Sequence, residues 1–221
     1  LETLQEYLLS FVTENKRQLF HSRLKERTRY LTIVLEDIFQ PQNTNAVLRT
    51  ADCFGIQDVH VIENTNAYDI NPRVLRGALK WLDLTRYNQH QDNTMVCLQR
   101  LKLKGYQIVA TSPNANSISL HDLPLERPMA LVFGNEKQGI SEVVKREADI
   151  HTHIPMYGFT ESLNISVSAA ICLHHLTTEL RKSNVNWQLS EADRADLLYD
   201  WTRKVLKDPD GLEKRFWEVQ K

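Results

Sequence analysis

The chain has 221 residues, 42% of them hydrophobic and 25% charged, with a net charge of −1. That composition fits one medium domain with an appendage, or two small domains, and excludes both a disordered chain and a wholly basic nucleic-acid binder, though not a local basic patch. No apolar run reaches the length of a bilayer span, no Cys-x-x-Cys pairs Cys53, Cys97 or Cys172, and the Glu-containing start lacks a signal-peptide pattern, so a cytoplasmic protein with no membrane, zinc or disulfide framework is expected.

Residues 1 to 29 read as helical, because Leu4, Tyr7, Leu8, Phe11 and Val12 recur at helical spacing and no glycine or proline precedes Pro41. Between positions 16 and 30, Lys16, Arg17, Arg23, Lys25, Arg27 and Arg29 oppose only Glu26; such a run is either a solvated face or a grip for phosphates. Tyr30 to Leu35 is β-branched and apolar, the pattern of a first buried strand. Gln40 to Asn43 ends it, and Asn43 or Thr44 is expected to cap a helix with Ala46, Val47, Leu48, Ala51 and Phe54 on its apolar face and Gly55 as its stop. Arg49 interrupts that helix, either as a surface arginine or as part of a site with Asn43.

Val59 to Ile62 and Leu82 to Tyr87 read as the second and third strands, with a short irregular or helical piece beginning at Asn71 between them. A helix is expected over Asp92 to Leu103, a strand over Tyr106 to Thr111 and a loop from Pro113. Met129 to Phe133 is the most continuous apolar strand; Gly134 to Gly139 follows, and Ser141 caps the next helix. Asp149 to Ile154 is the last strand. Strands alternating with helices imply a mainly parallel sheet covered on both faces.

The run from Ile154 to Leu173 then passes through a polar turn into a helix whose apolar residues, continuing to Leu180, cover nearly all its sides and predict deep burial. Ser162, Asn164 and Ser166 at its mouth serve either as caps or as a polar ligand site. Beyond a polar connection, Ser190 to Asp193 forms an imperfect capping box for a helix bearing Leu197, Leu198 and Trp201, and Asp208 to Gly211 turns into a last helix with Phe216 and Trp217.

Gly134 and Gly139 have the spacing of a phosphate loop, but Ile140 stands where its lysine is required. No Gly-x-Gly-x-x-Gly follows the first strand, and neither His151 with His153 nor His174 with His175 has helical metal spacing, so no metal is expected.

Three segments together resemble the motifs of the SpoU-type RNA ribose 2′-O-methyltransferases, in order and spacing: Asn43-Thr-Asn-Ala-Val-Leu-Arg49-Thr-Ala-Asp-Cys-Phe-Gly55, Leu131-Val-Phe-Gly-Asn-Glu-Lys-Gln-Gly-Ile-Ser141, and Ile154 to Ala170. The flanking helices look like those of the branch acting on tRNA guanosine. The resemblance implies an α/β domain over residues 30–182, with a mainly parallel sheet, helices on both faces and a C-terminal trefoil knot. Residues 1–29 would be a helical RNA-binding extension carrying the six cations, and 183–221 a C-terminal helical extension. S-adenosylmethionine is the implied cofactor, held by Thr111, Gly134, Asn135, Gly139, Ile154, Met156 and Leu163; Asn43, Arg49, Glu136, Ser162 and Asn164 match the catalytic positions.

The same resemblance implies methylation of a guanosine ribose in tRNA, at position 18 of the D-loop, by a homodimer whose active site lies at a subunit contact. Methylation of ribosomal RNA and a non-catalytic RNA-binding module on the same fold are the alternatives. The family's proposed base is the counterpart of Arg49, yet a guanidinium presents only donors. We therefore read Arg49 as clamping phosphate and polarising the 2′-hydroxyl, with Asn43 orienting Arg49 or the ribose and Glu136 offsetting the arginine's charge.

Overall fold

A computed structural model describes residues 3–68, 77, 79–112 and 116–220; the piece expected at Asn71 and the start of the loop at Pro113 lie outside these. In chain order the elements are α1 (Leu4–Ser10), α2 (Glu14–Leu24), β1 (Leu31–Glu36), α3 (Pro41–Cys53), β2 (Asp58–Ile62), β3 (Asp83–Tyr87), α4 (Asn93–Leu103), β4 (Gln107–Thr111), β5 (Ile118–Ser119), a 3-10 turn at Leu120–Asp122, β6 (Met129–Phe133), α5 (Glu142–Glu147), β7 (Ile150–His153), α6 (Ile165–Lys182), α7 (Glu191–Val205) and α8 (Pro209–Val219).

Two compact units result: Thr28–Trp187, and a helical unit in which Leu1–Arg27 associates with Gln188–Lys221. The larger unit holds a sheet ordered β3-β2-β1-β6-β4-β7-β5 among the described residues, with every neighbouring pair parallel. Strand side chains alternate between the faces. Leu31, Ile33 and Leu35 of β1 and Met129, Leu131 and Phe133 of β6 join one core with α3 and α6, while Val34, Ala130 and Val132 join the other with α4 and α5. Burial on both faces explains why β1 and β6 read as unbroken apolar runs. At about 1.5–3 kcal/mol per fully buried large aliphatic side chain, these two central strands anchor the unit.

Ser141 and Ser190 cap α5 and α7 as expected and Asp92 caps α4, each accepting a backbone N–H of the first turn. The cap of α3 differs. The helix begins at Pro41, whose fixed φ suits the first helical position, so Asn43 and Thr44 lie within its first turn and are buried. Its end is as read, with Gly55 at φ 80° beyond Phe54.

The single N-terminal helix expected over residues 1–29 is two helices. Phe11 is the C-cap of α1, and Thr13, with ψ at 148°, starts α2 from extended backbone. Within the helical unit, α1 packs on α7 and α8, and α2 on α7. Trp201 and Phe216 are thereby buried at 2% and 6% exposure, whereas Trp217 is exposed.

Deep burial of α6 on nearly all sides also fails. Ile165, Ala169, Cys172, Leu173, Leu176 and Leu180 face the core, but Val167 and Ile171 are 44% and 37% exposed. One turn apart, they lie on a stripe of the helix that the sheet does not reach.

Candidate active site

A cleft of about 1260 Å³ opens beyond the C-terminal ends of β4, β6 and β7, the edge at which open α/β sheets bind ligands. Thr111 and Phe133 line it from the ends of β4 and β6, and Thr152 and Ile154 from around the end of β7. The loop 134–140 forms one wall and the segment 154–165 the other.

That loop folds on itself through Asn135 N–H to Gly139 O (2.9 Å) and Gly139 N–H to Asn135 O (2.8 Å). Its two glycines have separate causes. A Cβ at Gly134 would stand 2.3 Å from the backbone of Gly139 and Ile140, and Gly139 has φ 72°, which side chains disfavour. Asn135 Oδ1 accepts the N–H groups of Lys137 and Gln138, and its Nδ2 donates to Asp37 O at 2.6 Å, tying the loop to the end of β1. The glycine spacing is thus explained by a turn rather than by a phosphate cradle.

Two side-chain hydrogen bonds join residues from the three sequence segments. Asn164 Nδ2 donates to Asn43 Oδ1 (3.1 Å), and Asn43 Nδ2 donates to Glu136 Oε1 (2.7 Å). Asn164 also caps α6 by accepting from Ser166 N–H at 2.8 Å. The Glu136 carboxylate further accepts the N–H groups of Phe39 (2.9 Å) and Gln40 (3.4 Å). Burial pushes the Glu136 carboxyl up, but the Asn43 side chain and the backbone donors outweigh it and hold its pKa below the usual range. No ion pair reaches Glu136 among the described residues, so the charge faces the cleft with neutral partners only.

All seven residues read from the sequence as cofactor positions, Thr111, Gly134, Asn135, Gly139, Ile154, Met156 and Leu163, line this cleft. So do Asn43, Glu136, Ser162 and Asn164. Arg49 does not. It is exposed on α3, six residues after Asn43 and so about 120° round the helix from it.

The six basic residues also separate. Arg23 and Lys25 are exposed, and Lys16 and Arg17 partly so, with Arg17 paired to Glu14. Arg27 is buried against the Trp201 ring, and Arg29 bridges Asp58 and Asp83. These last two cations are committed to internal contacts, which a charge run alone does not reveal.

Reading the sequence missed Gln40, Thr152, Ser168 and Cys172 in the lining. A signal existed for two of them, because Ile165, Ser168 and Cys172 follow the spacing of one helix face. Burial pushes the Cys172 thiol up to about 12, so it serves as an inert floor.

Residues 30–174 match the model of a family described as the SpoU rRNA Methylase family. The chain belongs to this family. It is 44% identical over 206 residues, 93% of either chain, to a tRNA (guanosine(18)-2′-O)-methyltransferase of Borreliella burgdorferi. The Aquifex aeolicus TrmH/SpoU tRNA modifying enzyme superposes with a TM-score of 0.76 at 28% identity, covering 88% of this chain and 98% of that one. An rRNA methyltransferase of Sinorhizobium meliloti, solved with AdoMet bound, shares the fold at a TM-score of 0.60 and 24% identity, over 70% of this chain and 58% of its own.

Proposed function

We propose that this chain transfers a methyl group from S-adenosylmethionine to the ribose 2′-hydroxyl of a tRNA guanosine, position 18 in the D-loop. The observation that carries the reading is the hydrogen-bonded line Asn164–Asn43–Glu136, which brings residues from all three motifs to one cleft. The lining suits the cofactor, since Ile140, Ile154, Met156 and Leu163 offer apolar surface for an adenosine while the polar rim carries Glu136, which has only neutral partners, and the exposed Glu161. When bound, the cofactor supplies an electrophilic methyl on a sulfonium. The protein's part is then to hold the ribose oxygen in line and to stabilise the charge that shifts as its proton leaves.

Asn43 and Asn164 fix the Glu136 carboxylate, and the Ser162 hydroxyl stands on the cleft wall with a free choice of partner. Arg49 would clamp the RNA phosphate and polarise the hydroxyl, and because it does not line the cleft of its own chain this role calls for a second copy. The exposed stripe of Val167 and Ile171 supports a homodimer, in which Arg49 of one copy completes the cleft of the other. The expected trefoil knot belongs to the same reading, with the segment after β7 threaded so that Asn164 reaches Asn43 at the start of α3. Arg23 and Lys25, with Lys16 and Arg17, are proposed to grip RNA phosphates, and the protein to work in the cytoplasm. Among the described residues no helix is long and apolar enough to cross a membrane, and no group of three His, Cys, Asp or Glu could hold a metal.

Incubating the protein with labelled S-adenosylmethionine and unmodified tRNA and rRNA pools, then mapping the methyl, tests the substrate; label in rRNA alone would overturn the tRNA assignment. Mixing Arg49→Ala with Asn43→Ala protein tests the shared site. Each variant alone should be inactive, and the mixture should recover about a quarter of wild-type activity, since half the dimers are mixed and each has one intact site. No recovery after subunit exchange would place both residues in one copy's site.

A further inference from the structure

Resting on the functional reading above, we propose that Phe39, Tyr157 and Phe159 form an aromatic rim that receives the target guanine base when it leaves the RNA stack. The distribution of exposed rings carries the argument. Among the described residues of Thr28–Trp187, the aromatic side chains classed as exposed are Phe39 at 50%, Tyr157 at 97% and Phe159 at 108%. Each ring left in water forgoes a large apolar burial, so rings collected at one cleft need an occupant.

Tyr157 lines this cleft with Asn43 and Glu136, and Phe39 and Phe159 are chain neighbours of the lining residues Gln40, Gly158 and Thr160. The Phe39 backbone N–H is bound to Glu136, and the ammonium of Lys137, itself a lining residue, lies 4.2 Å from the Phe39 ring centre. A ribose at this cleft brings its base and its phosphates with it. In folded RNA a stacked base gives up its neighbours when its ribose is drawn into a cleft, and another π surface offsets that loss. Aromatic rings supply one, and Lys137 beside Phe39 supplies charge for a phosphate.

The stripe read above as a contact with a second copy has different chemistry. Val167 and Ile171 are aliphatic, whereas the rim is aromatic and has the Lys137 ammonium over the Phe39 ring. The aliphatic stripe fits a protein partner and the aromatic rim a base.

The test uses the full chain and an unmodified tRNA transcript carrying 2-aminopurine at the target position, with S-adenosylhomocysteine present so that no turnover occurs. In the wild-type complex the extruded base stays quenched by the rings. In Tyr157→Ala and Phe159→Ala its fluorescence should rise, and the single-turnover methylation rate on normal tRNA should fall about tenfold. Tyr157→Phe and Phe159→Tyr should restore both readouts. Cofactor affinity by calorimetry and sedimentation mass should be unchanged in every variant. Wild-type methylation of tRNA in the same assay holds the functional reading fixed, so alanine variants that match it in rate and fluorescence overturn the rim alone. Loss of cofactor binding would make the rings part of the cofactor wall, and a fall to the 25.7 kDa single chain would make them subunit-contact residues; either result overturns the proposal.

Discussion

Glu63 and Glu136 both stand just beyond C-terminal strand ends, and both are held below the usual carboxylate range, but by opposite means. Around Glu63, burial pushes the carboxyl up and the Arg86 fork pulls it further down, through contacts of 2.6 and 2.8 Å, with Tyr68 N–H adding a third donor. Tyr68 donates in turn to Asn45 and Asn93 to Glu63 O, so this cluster is closed and carries its own cation. Around Glu136 the donors are Asn43 and two backbone N–H groups, all neutral. A closed cluster holds the fold together. An open one keeps a net charge in a cleft, where a cationic ligand or a partner's arginine can meet it. The two regions should therefore fail differently when cut.

The largest effects belong to the open cluster and to the arginine proposed to meet it. Arg49→Ala should lower methyl transfer by more than about a hundredfold, the scale of losing one donor aimed at developing charge, while an exposed site leaves the melting curve within about 0.5 kcal/mol of wild type. Arg49→Lys should also be poor, because a point charge does not replace a planar fork. Asn43→Ala should be comparably inactive but also cost about 1–2 kcal/mol, since it strips partners from both Glu136 and Asn164. Steady-state rates and denaturant melts check both, and an active Arg49→Ala enzyme would remove that residue from the mechanism.

Legibility in the sequence obeys the same divide. The sheet was legible because β1 and β6 are buried on both faces and so lack polar interruption, and the caps at Ser141 and Ser190 were legible because their signals are local. Asn43, Glu136 and Asn164 entered through the family's motifs, and nothing in their spacing showed that they share hydrogen bonds across 93 and 121 residues of chain. The closed cluster went unnoticed for the same reason, since Glu63 and Arg86 lie on different segments and look like ordinary surface charges. Misreadings arose where local pattern met tertiary context. Pro41 took the helix start from Asn43, and the apolar turn at Val167 and Ile171 stayed exposed because the sheet occupies only one side of α6.

Exchanging the charge, not the shape, separates the two carboxylates next. Glu63→Gln should destabilise by about 2 kcal/mol, less than a fully buried pair because Arg86 keeps access to solvent, and leave the rate per folded molecule near wild type. Glu136→Gln should do the reverse, slowing methyl transfer about tenfold or more with little loss of stability. Equal effects of the two substitutions on stability would erase the distinction.

Cations repeat the contrast on a smaller scale. Arg29 is closed between Asp58 and Asp83, whose hydrogen bonds overcome burial and raise its pKa, whereas Arg23 and Lys25 are exposed. Arg29→Ala should cost about 1–2 kcal/mol by leaving two carboxylates without their partner. Arg23→Glu with Lys25→Glu should instead leave the melt unchanged, weaken tRNA binding about tenfold and reduce the salt slope by up to about two. Binding titrations over a salt series decide it, and an unchanged slope would make the two cations a solvated face.

The smallest expected effect is the acid side of the stability curve. Both Glu63 and Glu136 have folded pKa values lowered from 4.5, so each contributes stability that is present above the ordinary carboxylate range and lost as pH falls through the folded value. Arg86 keeps its charge throughout that window, so protonating Glu63 strands a cation, while protonating Glu136 leaves only neutral donors that can still bond a carboxylic acid's carbonyl. Acid should therefore weaken the closed cluster more. Denaturant melts between neutral pH and the onset of acid unfolding should show a flatter pH dependence in Glu63→Gln than in wild type, with Glu136→Gln in between. If Glu136→Gln flattens the curve as much as Glu63→Gln, the neutral donors hold their carboxylate as tightly as the arginine holds its own, and the cleft's charge is structural rather than kept for a ligand.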